Sequence, residues 1–131
     1  MATMGGMPRS PTFSPMKFNA PIPILRSFDE AKVREFYIKF LGFKVDWEHR
    51  FENHTPLYIQ VSKDDCIIHL SEHFGDASPG ASLRIATVDL NDYQQQLLAK
   101  AYINARPGID NTPWGTRDMK IADPFGNTLI F

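Results

Sequence analysis

The sequence predicts an α+β fold in which two βαβββ modules form a half-open shell of mixed β-sheet. In each half, one helical segment is followed by three strand segments joined by tight turns, a pattern that disfavours an open parallel α/β sheet. The order also repeats along the chain. Asp29 and Asp89 precede the two helices and lie 60 residues apart, while Ile67 and Leu129 in the two last strands lie 62 apart. Similar offsets at both ends of a module indicate an internal duplication.

The first module starts with a strand and an amphipathic helix. Residues Pro21 to Arg26 form a short strand candidate. Ser27, followed three residues later by Glu30, predicts a capping box at the helix start, and Gly42 predicts the helix end. The helical face consists of apolar residues at i, i+3, i+4, i+7 and i+8 spacing: Val33, Phe36, Tyr37, Phe40 and Leu41.

Three strands complete the first module. Apolar residues alternate with polar ones from Phe43 to Phe51, which predicts a half-exposed strand. A turn over Asn53–Pro56 leads to a strand at Leu57–Val61, and the Asp64-Asp65 turn leads to a strand at Cys66–Ser71.

The second module follows a Gly- and Pro-containing linker and repeats the order of the first. Its predicted elements are a linker at 75–80, a strand at 83–88, a helix capped by Asp89, a strand at 102–106, a loop at 107–112, a strand at 116–122, a tight turn at 123–127 and a strand at 128–131. We therefore expect a flexible N-terminal arm at 1–19 and one domain at 20–131, with modules at 21–73 and 82–131.

Composition and charge exclude several classes of function. The chain has 14 Lys and Arg against 15 Asp and Glu, a net charge of -1, which disfavours a nucleic-acid binder and a polybasic membrane patch. No apolar run is long enough to span a bilayer, and no secretory leader is recognisable, so the cytoplasm is the expected location. Cys66 is the single cysteine, so neither an intrachain disulfide nor a CxxC motif exists.

The stretch I-I-H-L-S-E-H contains His69, Glu72 and His73 in the H-x-x-E-H order that zinc peptidases carry on a helix. Here the surrounding residues predict a strand. On a strand, positions 69 and 73 lie about 13 Å apart, too far for one ion. The motif therefore predicts no joint metal site.

Three segments resemble the glyoxalase/bleomycin-resistance/dioxygenase superfamily, also called the vicinal oxygen chelate (VOC) superfamily. They are "FYIKFLGFKVDW" (36–47), "RIATVDL" (84–90) and "PWGTRDMKIADPFGNTLIF" (113–131). PWG followed by an arginine, and DPxGN followed by an apolar strand, look like the bleomycin-resistance branch. The resemblance covers roughly residues 21–131 and implies the glyoxalase/bleomycin resistance fold.

The resemblance also identifies where metal-using members hold a divalent ion. Those positions fall on Ile22, His69, Ser82 and Ile130, and only His69 is a good ligand. Because a catalytic ion normally needs about three protein ligands, we expect neither a metal nor another cofactor. Whether the protein is an enzyme stays open, with the lost ligand positions favouring a protein without catalysis.

The predicted ligand-binding residues combine aromatic walls with polar groups: Trp47, His49, Phe51, Tyr58, His69, Glu72, Trp114 and Arg117. Each has a structural alternative. Trp114 either stacks on a ligand or fills the core, and Arg117 pairs with a ligand acid or with a neighbouring Asp. His69 is either a polar point on a cavity wall or a satisfied structural histidine, and Glu72 sits at the rim or in a solvated pair.

The resemblance implies a cytoplasmic homodimer that sequesters a small aromatic or glycopeptide antibiotic-like ligand in a cleft, without catalysis. The N-terminal segment Pro8–Pro15 would cross to the partner. The net charge offers little steering for a cationic ligand such as bleomycin, so the ligand stays open. The alternatives are a metal-dependent glyoxalase, lyase, isomerase or dioxygenase, and a small interaction domain whose cavity around Trp47 and Trp114 is filled.

Overall fold

The predicted α+β architecture is confirmed by a computed structural model that describes residues 14–131. Its elements are β1 (Ile24–Arg26), α1 (Glu30–Val33) continued by a π-helical segment (Arg34–Phe40), β2 (Lys44–His49), β3 (Tyr58–Lys63), β4 (Cys66–Ser71), β5 (Ser82–Arg84), α2 (Leu90–Ala99), β6 (Ile109–Asn111), β7 (Arg117–Ala122) and β8 (Thr128–Ile130). Most of the predicted N-terminal arm lies outside the described residues.

The strands form two four-stranded sheets with the same order. The first sheet is ordered β1-β4-β3-β2 and the second β5-β8-β7-β6. In each sheet the first strand of the module pairs in parallel with the last, and the other neighbours are antiparallel. Both sheets are therefore mixed, as predicted, and the two modules share one topology.

The first helix starts two residues later than the capping box predicted. Asp29, not Ser27, is the N-cap, and its side chain accepts a hydrogen bond from the Lys32 amide. The Ser27 amide instead donates to the Ser71 carbonyl, so Ser27 extends the pairing of β1 with β4. Beyond Val33 the helix is π-helical, and the Leu41 amide donates to the Phe36 carbonyl five residues back.

A β-bulge in β2 reverses the side-chain alternation that the sequence shows. Val45 pairs with Val61, but Trp47 pairs with Gln60, so Asp46 is the extra residue between them. Before the bulge, Phe43 is buried on the helix side. After the bulge, Trp47 lies on the opposite face. The apolar series from Phe43 to Phe51 is therefore divided between the two faces of the sheet.

In the second module, the structure differs from the sequence prediction at three places. Residues 102–106 contain no strand; β6 lies at 109–111 instead, inside the segment predicted as a loop. The reason is strand register, because the Thr112–Thr116 turn pairs β7 with residues 109–111, which immediately precede the turn. The predicted strand at 83–88 is a short one at 82–84, and Asp89 precedes α2 at φ 58° without a side-chain capping bond.

The two modules share one core and are joined by specific hydrogen bonds. Tyr37, completely buried, donates its hydroxyl proton to Asp123 Oδ2 at 2.7 Å. Asp123 opens the predicted turn and also accepts from the Phe125 and Asn127 amides. From the other side, Lys100 Nζ donates to the Phe40 carbonyl at 2.6 Å. The DPxGN turn is thus a hairpin turn, as predicted, and also a contact between modules.

No helix among residues 14–131 combines the length and the apolar character that crossing a membrane requires.

Candidate functional site

The face of the first sheet that points away from the core carries the main candidate site, and we call it the open face. Strand register places Ile24, His69, Gln60 and Trp47 side by side across β1, β4, β3 and β2. Their neighbours in sequence, such as Leu25, Ile59 and Leu70, are buried in the core. Alternation along each strand therefore directs this row away from the core.

Three rings on the open face form what we call the aromatic cluster: Trp47, Tyr58 and His69. The Trp47 and Tyr58 rings are parallel within 6°, with centroids 5.9 Å apart. The His69 imidazole meets both edge-on, at 5.3 Å from Trp47 and 5.1 Å from Tyr58. Trp47 is 44% exposed, so a large aromatic surface faces solvent. Such a surface suits a planar ligand.

A chain of hydrogen bonds connects two rings of the cluster to polar side chains of β3 and β2. Tyr58 Oη lies 2.6 Å from His69 Nδ1, and His69 Nε2 lies 2.9 Å from Gln60 Oε1. Gln60 Nε2 donates to Asp46 Oδ2 at 3.0 Å. We call Tyr58, His69, Gln60 and Asp46 the hydrogen-bond chain.

The surroundings shift the pKa values of this chain. Hydrogen bonds from Gln60 and Ser62, with the Lys44 charge, hold the pKa of Asp46 below its ordinary value, so the carboxylate is ionised. Burial lowers the pKa of His69, which favours the neutral imidazole. Burial raises the pKa of Tyr58, with a contribution from the Asp76 charge, so the phenol keeps its proton.

The residues at the family's metal positions do not fit a divalent ion. Ile22 and Ile130 have no donor atom, and Ser82 offers only a neutral hydroxyl. His69 has the right chemistry, but both of its ring nitrogens are committed to protein partners. Within the described range, no group of three or more His, Cys, Asp or Glu side chains is arranged to hold a metal.

The H-x-x-E-H motif is divided between the two faces of the strand end. His69 lies on β4, as predicted, while Glu72 lines a surface pocket together with Glu30 and Arg34 of the first helical segment. The Glu72 carboxylate accepts from the Leu57 amide at 3.0 Å and lies 4.0 Å from Arg50. Glu72 therefore lies apart from the aromatic cluster and supports the backbone at the end of the sheet.

Two more of the predicted residues, Trp114 and Arg117, belong to the β6–β7 hairpin. Trp114 is 68% exposed in the hairpin loop, where it fills no core, and it makes no ring contact in the part of the chain that the structure describes. Arg117 donates to Asn91 Oδ1 of α2 at 2.7 Å, so its partner is an amide rather than an Asp. Arg117 points to the helix side with Met119. It therefore points away from the outer face of the second sheet, which is the face that carries Arg84 and Lys120.

His49 and Phe51 continue the open face beyond the cluster. Their rings meet edge-on with centroids 5.0 Å apart, and Phe51 is 79% exposed. They lie on or just after β2, which is an edge strand. This pair therefore extends the aromatic surface beside Tyr58, which is the register partner of His49.

A separate cavity of about 650 Å³ lies where the β3–β4 turn meets the start of α2. Apolar residues such as Phe43 and Phe131 share its lining with Cys66, a lysine and four aspartates. Burial raises the pKa of the Cys66 thiol, as for an unreactive structural cysteine. None of the eight predicted ligand-binding residues lines this cavity.

Gln60 and Asp46 are site residues that the sequence analysis did not identify. The two-residue Asp64-Asp65 turn was the available signal for Gln60, because such a turn pairs Lys63 with Cys66 and so places Gln60 opposite His69. Asp46 had no comparable signal, because alternation places adjacent residues on opposite faces and only the bulge brings Asp46 and Trp47 to the same face.

The fold and site define a two-module protein whose first sheet presents an aromatic open face. The model of a family described as "Glyoxalase superfamily protein" matches residues 8–131. The chain belongs to the glyoxalase superfamily, which confirms the resemblance noted in the sequence. Comparison with curated proteins finds no match.

Solved structures of bleomycin-related proteins have the same fold. A bleomycin-binding protein complexed with bleomycin aligns with a TM-score of 0.62 at 20% identity, covering 86% of this chain and 96% of that one. A bleomycin resistance determinant encoded on transposon Tn5 aligns with a TM-score of 0.65 at 19% identity, covering 86% of this chain and 95% of that one. A glyoxalase/bleomycin resistance protein from Streptomyces sp. CB03234 aligns with a TM-score of 0.61 at 24% identity, covering 85% of this chain and 97% of that one. At these identities the likeness concerns the fold.

Proposed function

We propose that this protein is a binding protein of the bleomycin-resistance type that sequesters a planar aromatic or antibiotic-like ligand without catalysis. The observation that carries the proposal is the exposed aromatic cluster on the open face. Its parallel Trp47 and Tyr58 rings provide stacking surface, and His69 beside them provides a polar edge. Sequestration needs only such contacts, because affinity does not require a reactive group.

The proposed cleft is completed by a second copy of the chain. In one copy, the open face is exposed at Trp47 and at Ile24, which is 41% exposed. Trp114 is exposed on the other module. Exposed apolar surface of this kind favours an interface or a ligand site. In the proposed homodimer, the open face of one copy opposes the outer face of the partner's second sheet. The segment Pro8–Pro15 of the arm at 1–19 crosses to the partner domain at 20–131.

The chemistry of the site favours binding over the metal-dependent alternative. Of the four positions that would hold a divalent ion, two are isoleucines without a ligating atom and Ser82 offers only a neutral hydroxyl. Both ring nitrogens of His69, the fourth, are occupied by protein partners. The exposure of Trp47 and Trp114 also disfavours an interaction domain with a filled cavity around them.

A thermal-shift screen of planar aromatic compounds, with bleomycin included, tests the proposal. A ligand present at a hundredfold excess over its Kd should raise Tm by about 5–10 °C, because it binds only the folded state. Trp47→Ala should weaken binding by at least about tenfold. Ile103→Ala is the matched control, since Ile103 is 89% exposed and lies outside the open face.

Two results would contradict the proposal. One is a panel in which no compound shifts Tm while the protein is folded. The other is equal loss of binding in the Trp47 and Ile103 variants. Light scattering during gel filtration measures the oligomeric state independently, and a monomer at micromolar concentration would contradict the shared cleft.

A further inference from the structure

Each hydrogen bond in the hydrogen-bond chain on the open face has a defined donor and acceptor, and the assignment starts at Asp46. Its ionised carboxylate can only accept hydrogen bonds. Gln60 must therefore turn its amide NH₂ towards Asp46, across the 3.0 Å contact, and its carbonyl oxygen towards His69. The chemistry of Asp46 thus determines the orientation of the Gln60 amide.

The orientation of Gln60 determines the tautomer of His69. An amide carbonyl only accepts, so His69 Nε2 must carry the proton that fills the 2.9 Å contact. Burial favours the neutral ring, which leaves Nδ1 without a proton. Nδ1 then accepts from the Tyr58 hydroxyl at 2.6 Å. His69 is held as the Nε2–H tautomer by partners on both sides.

The Tyr58 hydroxyl is the end of the chain and has only one proton. Because that proton is directed at His69, the Tyr58 oxygen has only a lone pair to offer to a bound molecule. We propose that Tyr58 meets the ligand solely as a hydrogen-bond acceptor, so that the site selects planar aromatic ligands with an N–H or O–H donor on the ring edge. This inference rests on the proposed binding function and names its ligand class.

Asp46 and Gln60 act as positioning residues in this arrangement. Neither is stacked with the rings of the cluster, but together they set the proton position on His69 and so the role of Tyr58. A merely structural role for Asp46 would not change the tautomer of a histidine two hydrogen bonds away. The tautomer is therefore the readout that distinguishes positioning from structural support.

Nitrogen-15 NMR of the histidine side chains tests the direction without any ligand. The His69 signals are assigned by their loss in His69→Gln. At pH 7 we expect a single neutral Nε2–H tautomer in the unmodified protein and a mixture of tautomers in Asp46→Asn, whose amide can donate as well as accept. A proton on Nδ1 in the unmodified protein, or an unchanged tautomer in Asp46→Asn, would overturn the inference.

A matched ligand pair tests the specificity. Indole has a ring N–H donor, and 1-methylindole has the same planar ring system without it. We expect indole to bind about fivefold more tightly, the effect of one hydrogen bond, and Tyr58→Phe to remove the difference. Equal affinities in the unmodified protein would overturn the donor selectivity alone. If neither compound bound, the planar-ligand function itself would fail and the selectivity with it.

Discussion

At the scale of single residues, His69 is held in place by three neighbouring side chains. Its two ring nitrogens contact Tyr58 and Gln60, and its ring edge packs on Trp47. These contacts fix the orientation of the ring, and the Tyr58 hydroxyl that donates to Nδ1 requires that nitrogen to be unprotonated. The residue therefore fixes the arrangement of the aromatic cluster rather than offering a free nitrogen to a metal ion.

The lowered pKa of His69 predicts a pH dependence of folding. The group binds a proton less readily in the folded state than in the unfolded chain, whose histidine pKa is near 6.5. Below this unfolded-state pKa the unfolded chain binds more protons than the folded protein. The stability contribution is therefore complete above that pH and is lost as the pH falls. Urea unfolding at pH 7.5 and 5.5 should show this loss, and His69→Gln should reduce it.

The control for this experiment is His54→Asn. His54 is exposed and has φ 69°, a conformation that asparagine tolerates. If the two variants had the same pH dependence, His69 would not be the residue responsible.

Prediction at the residue scale succeeded where side-chain alternation was sufficient. The faces of Tyr58 and His69 follow from the buried Ile59 and Leu70 beside them. The partner of His69 could not follow from alternation, because it depends on strand register. Arg117 was assigned to the site from its position after PWG, but alternation with the buried Met119 directs it to the helix side.

At the scale of elements, the bulge at Asp46 has the largest consequence for the site. It turns Trp47 to the open face, on the same side as Asp46, whose carboxylate starts the hydrogen-bond chain. Periodicity alone could not predict it, because the apolar series continues through the bulge without interruption. The π-helical segment at 34–40 was missed for a similar reason, since apolar spacing indicates a helix but not its type.

Gly42 offers a test of how the first helix ends. Its φ is +86°, and a Cβ there would meet only the Lys63 and Lys100 ammonium groups at ordinary contact distance. The cost of Gly42→Ala should therefore come from backbone conformation, about 1–2 kcal/mol of unfolding free energy by urea denaturation.

Gly108→Ala is the matched control for Gly42→Ala. Gly108 lacks a positive φ, and nothing lies within 4 Å of a Cβ built there. This variant should be neutral or stabilise the protein by about 0.4–1 kcal/mol. A Gly42→Ala protein as stable as Gly108→Ala would contradict the assigned helix end.

At the scale of the whole molecule, the two modules form one packed unit. The core cluster contains Ile59 of the first sheet and Leu129 of the second. Tyr37 and Asp123 connect the first helix to the last turn, and the Tyr93 hydroxyl donates to the Leu41 carbonyl. The repeat in the sequence predicted the duplication, but it contained no information on these contacts between modules.

This arrangement predicts a single unfolding transition. The chain has two tryptophans, one in each module, so Trp47→Phe and Trp114→Phe each leave a reporter for one module. Their fluorescence midpoints in urea should coincide. Adding Tyr37→Phe removes a buried hydrogen bond to Asp123. It should lower both urea midpoints by the same amount, equivalent to about 1–3 kcal/mol of unfolding free energy. Separate midpoints would show that the modules unfold independently.

The central claim is that a planar ligand binds on the aromatic open face, in a cleft shared between two copies. The indole N–H signals of Trp47 and Trp114 in a ¹H–¹⁵N spectrum test it most directly during titration with a ligand from the thermal-shift screen. The account predicts that both signals shift together and saturate at one ligand per chain. Unchanged tryptophan signals, with shifts confined to residues of the 650 Å³ cavity such as Tyr93, would contradict it.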